Sequence, residues 1–410
     1  MDNDNRFVTG LDVGTENVRA VIASINKDGK IAIVGFNEGK SAGMRKGIPA
    51  NLTGPAESID RMLGDAERMG GYDVRSAYVS INGSTVISTQ TEGMIAVGAV
   101  EHEIDVEDLN RVEDIAVSGR IPANRDVLDV IPLEFALDGQ GGIKDPLGMA
   151  GARLEIRANV VSALTPNCEN LKKATQTADV QALRLVPTAV AAAKAVLDER
   201  QKENGVAVVD LGAATSSIAI YEEGDLQYVG VVPIGSNNIT NDLAIVLAIE
   251  PELAEEIKTR FITGDFGSNK SVAIKVGKHG ERTFERKEVE EVVKARLEEI
   301  FTEIRKKLKS AKYDQRLPEG IILTGGGAKM RDIELFAKEC LEASVKIGVP
   351  KQLDGVSNAV SKPEFAVAVG LAMFAAEDVE YQAPIDKKSK KSKKKKSGSG
   401  GLFKKLFSKF

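Results

Sequence analysis

Six residues in two stretches carry the chemistry that stands out first. In GLDVGTENVRAVIA at 10–23, Asp12, Gly14 and Thr15 follow a run of apolar residues, and in VVDLGAATSSIAIY at 208–221 Asp210, Gly212 and Thr215 do the same. A glycine in a tight hairpin lets backbone N–H groups approach a phosphate. A nearby hydroxyl adds a donor, and an aspartate at the strand end can hold the waters around Mg2+. Either stretch alone is more readily an ordinary hairpin turn, because short glycine patterns recur by chance. Overlaid, with aspartate and glycine in step, the two indicate an internal duplication whose turns could grip one phosphate chain and divide a metal's shell between Asp12 and Asp210. A third element, IILTGGGAKM at 321–330, ends an apolar strand in Gly325, Gly326 and Gly327 and runs on into a helical pattern. That layout favours an anion or a flat base against bare backbone.

Strands and turns must position these residues, and the apolar pattern supplies them. Strands are expected over Phe7 to Asp12, Arg19 to Ser24, Ile31 to Phe36 and Ala77 to Asn82, with a helix around Ala56 to Arg68. A second series, Val206 to Leu211, Ser217 to Tyr221 and Gln227 to Val232, repeats the order of strand, tight turn and strand. Between them lies an extra unit with a strand at MIAVG, a helix near Val106 to Val117, and strands around Val127 to Leu137 and Arg153 to Val161. In its helix Val106, Leu109, Val112, Ile115 and Ala116 share a stripe, and Asp105 is placed to cap the N-terminus. A long helix is expected over Lys287 to Lys309. The apolar run Phe365 to Ala376 falls short of the ~18 residues a membrane span requires and reads as a buried helix. The expected organisation is a first lobe over 1–84 and 165–188 completed by 361–384, an inserted small domain at 85–164, and a second lobe at 189–360 with its own subdomain at about 235–310.

A chain of 410 residues is long enough for two lobes and a cleft, and 42% hydrophobic with 28% charged residues is a globular composition. Cys168, Cys340, His102 and His279 are too few and too scattered for a zinc site, so the cysteines read as core residues. The opening MDNDNRF lacks the basic start and apolar stretch of a secretory signal, and a cytoplasmic location is expected. The net charge of -5 hides an asymmetry: residues 387–410 hold eleven lysines and no acid, leaving 44 basic against 60 acidic residues before them. Such a basic arm seeks an anionic partner. The segment 385–401 has the composition of a disordered linker. Over 402–410, Leu402, Phe403, Leu406, Phe407 and Phe410 fall within about 140° of a helical wheel. Lys404, Lys405, Ser408 and Lys409 fill the rest. A helix of this kind lies in the headgroup plane of an anionic membrane. A nucleic-acid partner is disfavoured, since no aromatic residue interleaves the lysines from Lys387 to Lys396.

The order of two such hairpins, a glycine turn and a late small-residue helix containing Gly370 resembles the actin-like ATPase superfamily. The segment IPLEFALDGQGGIKDPLGMAGARLEIRANVV at 131–161 resembles, more narrowly, the bacterial cell-division family FtsA, and the likeness covers nearly the whole chain. The resemblance implies an α/β, two-lobed actin-like fold with a duplicated ATPase core, a small inserted domain and a C-terminal amphipathic helix on a flexible linker. It implies ATP and Mg2+ as ligands, adds Asn17, Gly235 and Lys329 to the nucleotide contacts, and places Glu255 and Lys258 of the AE-x-IK pattern at the nucleoside. Partners it implies are further copies of the chain in a filament, other division proteins at the insert, and the tail peptide of the tubulin-like polymer FtsZ. Arg296 is the candidate basic contact for that peptide. The location it implies is the cytoplasmic side of the membrane at the division site. Three departures stand out. Ala213 and Ala214 replace glycines common in relatives, Glu288 replaces a basic residue, and Val186 and Pro187 stand where polymerising relatives have a water-orienting glutamate. Nucleotide binding with slow or absent hydrolysis is therefore expected, and no catalytic residue is named. The rival readings are an ATPase or kinase of the superfamily acting on a small substrate, and a pilus-assembly ATPase-like scaffold.

Overall fold

The computed structural model describes residues 6–98, 102–263, 271–275 and 281–381. The basic linker and the amphipathic helix expected over 385–401 and 402–410 lie outside the described residues.

Two large sheets share one plan. In the first, Arg6–Val13 pairs antiparallel with Asn17–Ile25, which pairs antiparallel with Ile31–Lys40. On its other side Arg6–Val13 runs parallel to Ser76–Ile81, followed by Gln181–Pro187. In the second sheet Val206–Leu211, Ser216–Glu222 and Asp225–Val232 repeat the antiparallel meander, and Ile321–Thr324 and Val345–Ile347 repeat the parallel side. Strand order and strand sense are therefore the same in both, apart from the short edge strand Asp354–Gly355 added to the first. The duplication read from two hairpin sequences extends to whole sheets.

Alternation along the strands builds two cores back to back. Val206 and Val208 pack into the core of the first lobe, while Ala207 and Val209 on the opposite face pack into that of the second. Between the sheets run the helices Thr188–Val196 and Ala366–Tyr381, rich in alanine, which cross so closely that a Cβ at Gly370 would lie 1.8 Å from the Ala191 carbonyl oxygen. The buried helix expected over Phe365 to Ala376 is this second one, preceded by a 3-10 turn at Pro363–Phe365. No helix among the described residues is long and apolar enough to cross a membrane.

The insert is a four-stranded sheet in the order Ile87–Ala96, Arg153–Leu164, Arg125–Leu137, Gln140–Ile143, with the helix Val106–Val117 laid across it. Its first strand begins well before MIAVG, because Arg153–Leu164 pairs along its whole length and carries the polar residues Ser88 to Glu92 into the ladder. Asp105 caps the helix as expected. Its carboxylate accepts a hydrogen bond from the Asp108 N–H at 2.9 Å, and the Asp108 side chain answers the Asp105 N–H. Leu109, Val112 and Ala116 are buried, but Val106 and Ile115 are about half exposed, because the buried arc centres on Leu109 and Ala116 and takes in Glu113 instead. Side chains of the insert hold the edge strand of the second lobe. Ser88 Oγ accepts the Val229 N–H at 2.8 Å, Asn159 Nδ2 donates to the Leu226 carbonyl at 2.7 Å, and Lys144 pairs with Asp225 at 2.8 Å.

Glu113 makes the stability of the chain depend on pH. It is 1% exposed with Oε1 unpartnered among the described residues, and its carboxyl is pushed up to about 7 by burial first and then by the Asp114 and Asp129 charges. A raised acid favours the folded state fully below the unfolded value, and that contribution is lost as pH climbs through 7. Glu113→Met, which removes the ionisable group, is therefore expected to raise the thermal midpoint at pH 8, by on the order of 2–3 kcal/mol in stability, and to change little near pH 4.5. Melting curves of both proteins across that range check this; parallel pH profiles would count against it.

Candidate functional site

The two hairpin tips and the glycine turn border one cavity of about 250 Å³, at the C-terminal ends of the parallel strands where the lobes meet. Each hairpin is tight: the Gly14 N–H bonds the Asn17 carbonyl at 3.1 Å, and the Gly212 N–H bonds that of Thr215 at 2.9 Å. A side chain at Gly14 would strike the Asn17 carbonyl oxygen, its Cβ only 2.6 Å away, so the turn excludes one. Every ligand residue named from the sequence lines the cavity except Gly235. That residue sits behind the second hairpin, where an added Cβ would lie 2.6 Å from the carbonyl oxygens of Gly212 and Ala213. Ala213 and Ala214, which replace glycines common in relatives, do not take the left-handed backbone that glycine favours, since neither has a positive φ.

Asp12 and Asp210 end their strands at matching registers, opposite Arg19 and Ser217. Asp12 accepts a hydrogen bond from Ser80 Oγ at 2.8 Å and lies 3.8 Å from the Arg19 guanidinium, yet burial keeps its carboxyl above the usual range. Burial, and then the facing Asp12 charge, push Asp210 up to about 7 against the pull of Arg19. Two buried carboxylates that disfavour one another's charge suit a cation placed between them. No group of three or more His, Cys, Asp or Glu fit to hold a metal directly occurs among the described residues. A cation here would keep most of its water, as Mg2+ does.

The far end of the cleft is polar in a different way. On the helix Pro251–Thr263, Glu255 and Lys258 pair at 2.6 Å, and Thr240 Oγ1 bonds both, donating to Glu255 at 2.5 Å and accepting from Lys258 at 2.9 Å. At the glycine turn Gly326 faces open space, leaving bare backbone, and Lys329 pairs with Glu364 at 2.9 Å.

Among the cleft residues that escaped the sequence reading, five bear on its chemistry. Arg19 pairs with Asp12 and Glu38 and lies over the Phe365 ring, which places a mostly buried cation in the cleft wall. Its position across the hairpin from Asp12 was the available signal. Glu16 spans the cleft, accepting from Asn237 Nδ2 at 3.0 Å and from Lys40 at 2.5 Å. Burial acts to raise its carboxyl, but those two bonds, with the Lys40 and Lys258 charges, bring it below the usual range. Asn82 ties the lobes together, donating to Thr215 Oγ1 at 2.9 Å and accepting from Ser217 Oγ at 3.0 Å. Thr188 and Glu364 are buried in the cleft wall. For Glu16, Asn82 and Glu364 no local motif existed, since their partners lie tens to hundreds of residues away, and the Thr188 hydroxyl has no partner among the described residues to give a signal.

Outside the cleft, Arg296 is not free. Asp242 holds its guanidinium bidentately at 2.5 and 2.8 Å, and Glu299, the i,i+3 partner, adds a third contact at 2.5 Å.

Two lobes of one duplicated plan around a shared cleft are the actin-like architecture, and solved structures agree. The PilM-PilN type IV pilus biogenesis complex superposes with a TM-score of 0.67 at 17% identity, over 90% of this chain and 98% of that one. MreB5 of Spiroplasma citri bound to ADP superposes with a TM-score of 0.52 at 13% identity, over 92% and 98%. The family description "Cell division protein FtsA" matches residues 207–370, and "SHS2 domain inserted in FTSA" matches 83–162. Cell division protein FtsA of Pseudomonas aeruginosa is 33% identical over 90% of this chain and 89% of its own length, and that of Escherichia coli K12 is 30% identical over 94% of each. The chain belongs to the FtsA family of cell-division proteins.

Proposed function

We propose that the chain binds Mg-ATP between its lobes, assembles into actin-like filaments and ties FtsZ filaments to the cytoplasmic face of the membrane at the division site. The observation that carries this reading is the placing of Asp12 and Asp210 in one cleft, each near the end of a strand that turns tightly at Gly14 or Gly212. In this reading the phosphates lie between the hairpins, with Thr15, Asn17 and Thr215 as additional donors. Glu255 and Lys258 reach the nucleoside, and Gly325, Gly326, Gly327 and Lys329 back the base. The ADP found with MreB5, which shares the fold, supports a nucleotide here. Hydrolysis is slow, because Val186 is buried in the first-lobe core and offers no base.

Attachment comes from the terminal segment. Burying two leucines and three phenylalanines contributes roughly 7 to 15 kcal/mol gross, cut down by partial insertion and by ordering a short helix. One copy then holds reversibly, and copies joined in a filament hold together through an avidity of ~10² to 10⁴. Co-sedimentation with vesicles containing anionic lipid tests the whole reading. FtsZ should pellet only when the chain and vesicles are both present, and FtsZ that stays in the supernatant in the complete mixture would overturn it.

The FtsZ tail docks, in this reading, beside Arg296. The helix Asn237–Val246 that supplies Asp242 ends in Ile245 and Val246, 76% and 53% exposed, so an acidic peptide with apolar residues finds both a guanidinium and an apolar ledge. The peptide must compete with Asp242 and Glu299 for that guanidinium, which keeps the contact modest. Arg296→Glu is expected to weaken FtsZ-peptide binding at least fivefold in fluorescence polarisation; undiminished binding would place the peptide elsewhere.

A further inference from the structure

We infer that Thr188 contacts the terminal phosphate of the bound nucleotide, so that the cleft distinguishes a triphosphate from a diphosphate. The inference rests on the nucleotide reading of the cleft and names the group that senses its last phosphate.

Thr188 opens the helix Thr188–Val196 and lines the same cavity as Asp12, Gly14, Asp210 and Gly212. Its side chain is 5% exposed, and Oγ1 is shielded from solvent without a hydrogen-bond partner among the described residues. A buried hydroxyl left unpaired is destabilising, and threonine hydroxyls ordinarily find a nearby backbone group. One kept unpaired in the wall of a ligand cleft finds its partner when the ligand arrives.

The helix start gives an independent reason for that partner to be anionic. Pro187 precedes Thr188 and supplies no side-chain cap, so the first-turn N–H groups and the positive end of the helix dipole add to the hydroxyl. A phosphate oxygen answers the hydroxyl and the dipole together, whereas a neutral water answers only the hydroxyl. The helix packs against Ser76–Ile81 of the first sheet and against Val206–Leu211 and Ser216–Glu222 of the second. It therefore starts where the lobes join, and the strand that leads into it pairs Val186 with Ser80, whose hydroxyl bonds Asp12. The residue before the proline, Val186, leaves the hydroxyl as the polar group that this segment contributes to the cleft. A hydroxyl is too weak a base to activate water, so its role is recognition.

Thr188→Val keeps the shape and removes the hydroxyl, and Thr188→Ser keeps the hydroxyl. Calorimetric titration of each folded protein with Mg-AMPPNP and with Mg-ADP separates the outcomes. The unmodified chain should bind the triphosphate analogue at least fivefold more tightly than ADP. The valine variant should lose that preference while holding ADP as before, and the serine variant should retain it. A valine variant weakened equally for both nucleotides, or for neither, overturns the inference and leaves the nucleotide reading standing, as does an unmodified chain with no preference. An unmodified chain that binds neither nucleotide overturns both.

Discussion

Asp12→Ala and Asp210→Ala should each weaken Mg-ATP binding at least tenfold, about 1.4 kcal/mol, when titrated in a calorimeter. The expectation follows from how the two carboxylates are held. Asp12 is fixed by Ser80 Oγ at 2.8 Å and by the Arg19 guanidinium, and Asp210 faces it from the second lobe at the same hairpin register. In the proposed reading each lobe supplies one half of the seat for a hydrated cation, and losing either half would leave the waters of the metal unanchored on that side. The same burial that prepares the seat burdens the empty protein, because Asp12 and Asp210 disfavour one another's ionisation. Asp210→Asn should consequently raise the melting temperature of the nucleotide-free chain while weakening Mg-ATP binding, a trade typical of sites built for a ligand. Equal affinity in both alanine variants would remove the two-hairpin clamp.

Leu406→Glu should abolish binding to anionic vesicles in flotation assays while the body stays folded. On the helical wheel expected for 402–410, Leu406 falls near the middle of the apolar arc with Leu402, Phe403, Phe407 and Phe410, so a carboxylate there would enter the stripe proposed to meet lipid. Phe407→Glu, nearer one side of the arc, should act the same way. Changing Lys393 to Lys396 into serine removes only screened attraction, about 1 kcal/mol per lysine close to the surface. That variant should bind more weakly, with less dependence on salt, and still float. A Leu406→Glu chain that floats like the unmodified one would show that the terminal segment is not the anchor.

How far the sequence reached is clearest at the two hairpins. Their aspartates, glycines and return strands were legible because each hairpin is a local structure, in which each strand pairs with the one that directly follows it in the chain. The repeat of the motif then gave away the duplication, and the family resemblance added Asn17, Glu255, Lys258 and Lys329, while Glu16, Arg19, Asn82, Thr188 and Glu364 stayed out of reach. The helix Val106–Val117 shows where periodicity fails: its boundaries and its Asp105 cap were readable, but which edge of the stripe is buried depends on the sheet beneath it, and Glu113 rather than Ile115 lies inside.

By itself the sequence determined the strand, turn and helix order, the two aspartates at the hairpin ends, the acidic body and the amphipathic pattern of the basic terminus. All of these are set by local periodicity, turn chemistry or charge composition. Only the tertiary structure decided that Asp12 and Asp210 burden each other and that Asn82 joins the lobes through Thr215 and Ser217. The engagement of Arg296 by Asp242 and the unpartnered hydroxyl that Thr188 leaves in the cleft wall were decided there too. Apart from the Arg296 pairing, these facts arise where one lobe meets the other, and all four depend on burial and on distances between groups remote along the chain. Spacing within a single stretch of sequence encodes neither.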